Sequence, residues 1–199
     1  AHKEGLIPIN PIKAVTGIKS ETPSREYLTV DELRALSATE CKSDVLKKAF
    51  LFCCLTGLRW SDAHNLKWKD IFKEQECYRV KFRQKKTGGL EYLDINDQAT
   101  KLIGKRGGKE EKVFQGLKYS AHNNLLLAQW VMRSGIQKDI TFHCSRHTFA
   151  VLQLEMGTPI YTVSKLLGHP HLKTTEVYAR IVDKRKREAM MNMPEILIN

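Results

Sequence analysis

The chain has 199 residues, enough for one domain with a proper core and a small appendage, and its 42% apolar and 28% charged content is ordinary for a globular protein. Its charge is not ordinary: 33 Lys+Arg against 22 Asp+Glu leave +11, which points to a polyanionic partner, nucleic acid before an anionic membrane surface, with a merely basic globular protein as the bland alternative. Five cysteines without framework spacing imply reduced thiols, and the sequence shows neither a signal-peptide pattern nor an apolar run near the ~20 residues of a membrane span, so a cytoplasmic protein is expected.

Residues 1–26 carry Pro8, Pro11 and Pro23 without a sustained helical or strand period and read as an extended linker. The fold proper opens at Thr29, an N-cap with Glu32 three residues on. From Ser43 a second helix runs through Leu46, Ala49, Phe50, Phe52, Cys53 and Leu55. It is apolar nearly all round, so it should be central and buried, and Gly57 should stop it. Arg59 follows at once in Thr56-Gly57-Leu58-Arg59-Trp60-Ser61-Asp62. A guanidinium delivered from the end of a buried helix is firmly held, and its fork can grip two phosphate oxygens. Asp62 could orient it; an exposed Arg–Asp pair is the plainer alternative.

Leu66–Phe72 and Tyr78–Phe82 read as strands, Gln84–Gly89 as a turn and Glu91–Ile95 as a returning strand. Asn96 caps a short helix to Ile103. A charged loop covers Gly104–Lys112, and Val113-Phe114 suits a short buried contact. Ser120–Ser134 is a helix with Leu125, Leu126, Leu127, Trp130 and Val131 on its core face. The next helix runs from Cys144 to Met156, with His143 and Arg146 near its start, where unpaired backbone N–H groups favour an anion. Ile160–Leu167 forms another, Gly168 breaks it and presents His169, and Lys173-Thr174-Thr175 leads into a helix bearing Tyr178. Asp183–Glu188 continues as a charged helical stretch, followed by an apolar tail.

A tyrosine among cationic and imidazole donors is what a phosphodiester-cleaving nucleophile needs: the phenol attacks phosphorus while the donors stabilise the non-bridging oxygens. On His143-x-x-Arg146, Leu167-Gly168-His169 and Tyr178, with the upstream Arg59 segment, the chain resembles the catalytic domain of the tyrosine recombinases (phage-integrase family). The Phe142–His147 run looks most like integrases of conjugative transposons. The likeness implies an α+β, mainly helical fold with a small antiparallel sheet or hairpin. It implies a linker at 1–26 from a missing N-terminal core-binding domain, a catalytic domain at 27–182, and a tail at 183–199 that docks on a neighbouring protomer or folds back on its own domain.

By the same resemblance the catalytic set is Arg59, Lys86, His143, Arg146, His169 and Tyr178, with Lys85 as rival to Lys86 for the general acid on the hairpin. His147 is expected to pack or orient neighbours, without a chemical role. The implied activity is site-specific cleavage and rejoining of DNA through a 3′-phosphotyrosyl intermediate, without metal, cofactor or ATP, for integration or excision of a mobile element. Its partners would be double-stranded recombination sites and further copies of the chain, a tetramer in the synaptic complex, in a prokaryotic cytoplasm at the nucleoid. Four alternatives compete. A DNA-binding module without catalysis, or a recombinase devoted to inversion or resolution, fits the same charge. A zinc site among His143, Cys144, His147, His169 and His171 lacks the glutamate of His-Glu-x-x-His and any Cys-x-x-Cys. A type IB topoisomerase shares the chemistry, but the short length and Leu-Gly-His argue against it.

Overall fold

The computed structural model describes residues 25–83 and 89–192. The first helix, α1 (Val30–Ala38), starts where its capping box dictates: Thr29 Oγ1 accepts from the Glu32 N–H, and the Glu32 carboxylate accepts from the Thr29 N–H at 2.7 Å. Ser43 caps α2 (Asp44–Thr56), which places Leu46, Ala49, Phe50, Phe52 and Cys53 in the interior. The Phe50 ring meets Trp130 and Phe142 edge-on, at 5.8 and 5.6 Å between centroids. This helix is the axis of the domain, packing against both α4 (Asp97–Ile103) and α6 (Cys144–Glu155).

Gly57 ends α2 in the left-handed region, φ +70°, and the short α3 (Trp60–Asn65) follows. A three-stranded antiparallel sheet in the order β1-β2-β3 comes next, with β1 Ile71–Glu74, β2 Cys77–Arg83 and β3 Leu90–Ile95. The strand expected from Leu66 begins only at Ile71. Asp70 is the cause: its carboxylate accepts from the Lys67 N–H at 3.1 Å and closes a 3₁₀ turn over Trp68–Asp70, while Leu66 pairs through its carbonyl with Val113. The strand register sets Val80 opposite Ile71 and Leu93, so one face of the sheet is apolar. The turn carrying Lys85 and Lys86 lies outside the described residues.

Two helices then lead into the C-terminal half: α4, capped by Asn96, and α5 (Ala121–Arg133), capped by Ser120. On α5 the buried stripe is Leu127, Trp130 and Val131; Leu125, expected on the core face, is 55% exposed. Two residues before Leu127 on a helix is about 200° round the axis, which turns Leu125 to solvent. Beyond α6 come α7 (Ile160–Leu166) and the long α8 (Lys173–Met191). The latter packs on α6 and α7, and Thr175, Tyr178 and Val182 form its buried stripe. It continues unbroken past residue 182, where Arg185 pairs with Glu155 of α6. Phe149, Ala150, Val151, Val163, Leu167, Tyr178 and Val182 make a second, smaller core beside the main one. Among the described residues no helix is long and apolar enough to cross a membrane.

Candidate active site

Five of the six residues singled out in the sequence come together at the seam between the two cores. Arg59, His143, Arg146, His169 and Tyr178 line one cleft of about 520 Å³ with Arg25, His147, Pro170, His171 and Thr174. The sixth, Lys86, is outside the described residues.

Arg59 is the N-cap of α3, two residues after the left-handed turn at Gly57. Its side chain is 19% exposed, and its guanidinium lies 3.8 Å from the Asp62 carboxylate, which is itself buried and accepts from the Arg59 N–H at 3.3 Å. The acid therefore orients the arginine from below. The surface pair considered as an alternative does not describe this geometry.

Arg146 is more deeply set, at 4% exposure on the first turn of α6. Nη1 donates to the Gly57 carbonyl at 2.7 Å and Nη2 donates to the Leu167 carbonyl. Both acceptors end helices, and both precede a site residue: Gly57 comes before Arg59, and Leu167 before His169. Burial, with Arg59 nearby, pulls the Arg146 pKa down to about 10, so the group stays cationic at neutral pH. A buried charge in this state favours an anion that neutralises it.

Of the four imidazoles that line the cleft, those of His143, His147 and His169 are held neutral. Burial and the neighbouring guanidiniums of Arg146, Arg25 and Arg59 lower His143. The same desolvation, with Arg146, Arg59, Arg25 and His143, takes His169 to about 4. Gly168, φ +58°, turns the chain after α7 and sets His169, whose Nδ1 shares a 2.8 Å hydrogen bond with the buried Thr175 hydroxyl. That bond fixes the ring and leaves Nε2 as its other polar atom. A neutral imidazole with an N–H there is a donor for a phosphate oxygen.

Tyr178 sits on the buried stripe of α8, only 2% exposed, with its hydroxyl reached from the cleft. His147 Nδ1 is 2.8 Å from that hydroxyl, and Arg25 Nη1 donates to it from 3.4 Å with its guanidinium carbon 5.6 Å from the ring centroid. Burial first, then His143, Arg25, Arg146 and His169, carries His147 to about 3. Sequence reading treated His147 as a packing or orienting residue and missed Arg25 and Thr175 altogether. Arg25 stood in a segment read as linker. It is placed by contacts of high sequence separation: Leu28 N–H donates to Thr148 Oγ1, and Lys138 Nζ donates to the Tyr27 carbonyl and pairs with Glu32.

A helical domain whose last long helix carries a buried tyrosine into a cleft of arginines and neutral imidazoles has the architecture of a tyrosine recombinase catalytic domain. The phage integrase family model matches residues 26–185, and the chain belongs to that family. A tyrosine recombinase of Pseudothermotoga lettingae is 28% identical over 188 residues, covering 91% of this chain and 65% of the relative. The integrase of Escherichia phage P2 is 28% identical over 185 residues, covering 93% and 52%. The tyrosine recombinase XerA of Saccharolobus solfataricus is 32% identical over 163 residues, covering 79% and 54%. The chain thus spans about half to two thirds of these curated relatives. In fold it is similar to a lambda integrase dimer bound to a COC′ core site, with a TM-score of 0.71 and 24% identity over 99% of this chain and 71% of that one. The XerA recombinase crystal structure gives 0.68 and 24%, over 91% and 68%.

Proposed function

We propose that this chain is the catalytic domain of a site-specific DNA recombinase that cleaves and rejoins strands through a 3′-phosphotyrosyl intermediate, serving integration or excision of a mobile element. The observation that carries this reading is the cleft itself. It gathers a tyrosine hydroxyl, two arginines from the sequence motifs and three neutral imidazoles, with no carboxylate among its lining residues. Such a lining is selective for a phosphodiester: Arg59 and Arg146 grip the non-bridging oxygens, and His143 and His169 donate to them as charge builds in the pentacoordinate transition state. Tyr178 is the nucleophile. Lys86 (or Lys85) protonates the departing 5′ oxygen. The 5′ hydroxyl of another strand reverses the step, so the energy of the broken bond is kept in the covalent link and no ATP is required. Two guanidiniums supply the charge that a metal cation brings in other phosphoryl transfers.

The partners under this reading are double-stranded recombination sites and further copies of the chain, four in the synaptic complex. A net charge of +11 supports a nucleic-acid partner. The likeness in fold to a lambda integrase tetramer bound to a Holliday junction, TM-score 0.70 at 23% identity, supports the assembly. Residues 1–26 then act as the linker from a core-binding domain, and the stretch from 183, whose Arg185 already pairs with Glu155 of its own chain, as a tail that docks on a neighbouring protomer or folds back on its own domain.

The test is a duplex selected for binding by the complete natural protein, nicked near the cleavage point and incubated with chelator. A covalent adduct mapping to the Tyr178 peptide is the expected result. Tyr178→Phe should bind the duplex as the unaltered protein does and give no adduct. Binding without any adduct from the unaltered protein would leave a DNA-binding module and remove the catalytic reading.

A further inference from the structure

Arg25 stands apart from the other cationic residues of the cleft. It comes from the segment that precedes α1, outside every motif, and it is aimed at the oxygen that makes and breaks the covalent link in the reading above. Nη1 donates to the Tyr178 hydroxyl from 3.4 Å, and the guanidinium carbon lies 5.6 Å from the ring centroid. No carboxylate lines the cleft beside it. A guanidinium offers only N–H donors and keeps its proton, so at this oxygen it can stabilise negative charge but does no acid or base work. We propose that Arg25 is a further catalytic residue, which stabilises the charge on the Tyr178 oxygen as it attacks phosphorus and as it departs when the strand is rejoined. The inference rests on the strand-transfer reading and adds a third guanidinium, directed at the nucleophile where Arg59 and Arg146 serve the phosphate.

The chain just after Arg25 is anchored on both sides. Leu28 is fully buried, and its N–H donates to the buried Thr148 Oγ1 at 2.9 Å, one residue from His147 on α6. Tyr27 packs against the second core. Its carbonyl accepts from Lys138 Nζ at 3.0 Å, and the same ammonium lies 5.2 Å over its ring and pairs with Glu32 at 2.6 Å. With its backbone held two residues from these bonds, Arg25 presents its guanidinium to the hydroxyl before any ligand enters, as charge stabilisation in a transition state requires.

Rejoining shows where the charge falls. The 5′ hydroxyl oxygen attacks phosphorus, its proton passes to Lys86 in this reading, and the P–Oη bond breaks with its electron pair on Oη. That oxygen is a phenolate until it takes up a proton, and Arg25 is the cation beside it. Cleavage runs the same steps backwards: the Oη–H bond breaks, the Oη–P bond forms, and the charge on Oη passes into the phosphate. Arg25 gains and loses no proton throughout. The hydroxyl's proton leaves and returns on the side of His147 Nδ1, 2.8 Å away. Tyr178 is only 2% exposed, so water screens the phenolate little and a neighbouring guanidinium counts for more than it would at the surface.

Arg25→Gln in the complete natural protein tests this, because the amide keeps a polar side chain and loses the charge. The adduct is formed on the nicked duplex, a strand with a free 5′ hydroxyl is added at saturation, and loss of the adduct is timed. Rejoining should slow about 10²-fold, the lower end of what a lost oxyanion donor costs, and adduct formation should slow with it. The decisive readout is the same pair of proteins carrying a trifluorinated tyrosine at position 178, whose phenol is more acidic and bears the departing charge unaided. There the Arg25→Gln deficit in rejoining should shrink by at least about threefold. A merely structural arginine predicts equal deficits with both phenols, and that result would overturn the proposal, as would a variant rejoining within about threefold of the unaltered rate. Weaker duplex binding with an unchanged rate at saturation would also overturn it, and would reduce Arg25 to a contact with the DNA backbone. Tyr178→Phe run in parallel separates the two readings, since an adduct from that variant breaks the recombinase mechanism, whereas a fully active Arg25→Gln breaks only this inference.

Discussion

Gly57 carries more of the site than its size suggests, and Gly57→Ala is the substitution through which the fold can be tested most sharply. Its φ of +70° lies in the left-handed region, where an alanine costs about 1–2 kcal/mol. There is also no room for the methyl: an added Cβ would stand 2.5 Å from Phe149 Cδ1 and 2.9 Å from Cε1. Phe149 is 5% exposed in the second core, and overpacking of such a ring costs typically about 1–3 kcal/mol. The sum, about 2–5 kcal/mol, is a large part of a domain's stability and should lower Tm by on the order of 10 °C at this chain length. Phe149→Leu in the same chain should restore the overpacking share but not the backbone share, so the double variant should recover part of the loss relative to Phe149→Leu alone. Thermal and urea unfolding of the four proteins measures both shares. A Gly57→Ala melt within about 2 °C of the unaltered chain would refute both the left-handed turn and the close approach of Phe149.

Three further expectations follow from the same contacts. Arg146→Lys keeps the charge but loses the fork that reaches both Gly57 and Leu167; it should reduce adduct formation by at least about 10²-fold while leaving duplex affinity nearly unchanged in a gel-shift titration. His147 and His169 titrate at about 3 and 4 when folded, below the 6.5 of a free imidazole. As pH falls below 6.5 the unfolded chain binds protons that the folded chain refuses, so stability is full above that pH and declines toward pH 4, by up to about 1.4 kcal/mol per pH unit for each ring. Urea midpoints at pH 7 and pH 5 measure the slope, and His147→Asn should flatten it. Burial drives the thiols of Cys53 and Cys54 well above their ordinary range, so iodoacetamide on the native chain should label Cys41 and Cys77 and spare this pair, as peptide mass analysis would show.

What was legible in the sequence was whatever has a local cause. Thr29 with Glu32, Ser43, Asn96 and Ser120 each accept a backbone N–H within three residues, and all four helix starts stand where those residues put them. Gly57 and Gly168 ended their helices for an equally local reason, a positive φ. The strand at Leu66 failed because the alternation begun by Leu66 and Trp68 meets Asp70, whose carboxylate accepts from the Lys67 N–H and closes a turn that periodicity does not weigh. Leu125 failed because three adjacent leucines on a helix cannot all face inward. The site divided in the same way. Arg59, His143, Arg146, His169 and Tyr178 were readable through their motif contexts. Arg25 was not, since 153 residues separate it from the hydroxyl it touches, and neither composition nor spacing encodes that contact. Thr175 is six residues from His169 across a turn, and its role exists only once α8 has packed.

The placement of Arg146 shows how stability and site geometry share one set of bonds. The main core is organised by α2 and the second core by α7 and α8, and the cleft opens along the line where they meet. Helix α6 belongs to both: Cys144 packs in the first and Phe149 in the second. From its first turn, Arg146 reaches the carbonyl that closes a helix on each side, Gly57 after α2 and Leu167 after α7. A buried guanidinium left unpaired costs several kcal/mol, so these two loop ends are held in register by the same requirement that keeps the cation satisfied. Arg59 lies two residues beyond one staple and His169 two beyond the other. Under the proposed function these two groups face the phosphate, and they are fixed before any ligand enters; that kind of preorganisation is what makes charge stabilisation effective in a transition state. The arrangement also explains why a cleft so rich in positive charge tolerates its own repulsion: the cost is met by backbone carbonyls and by Asp62 beneath Arg59, and is relieved further when an anion binds.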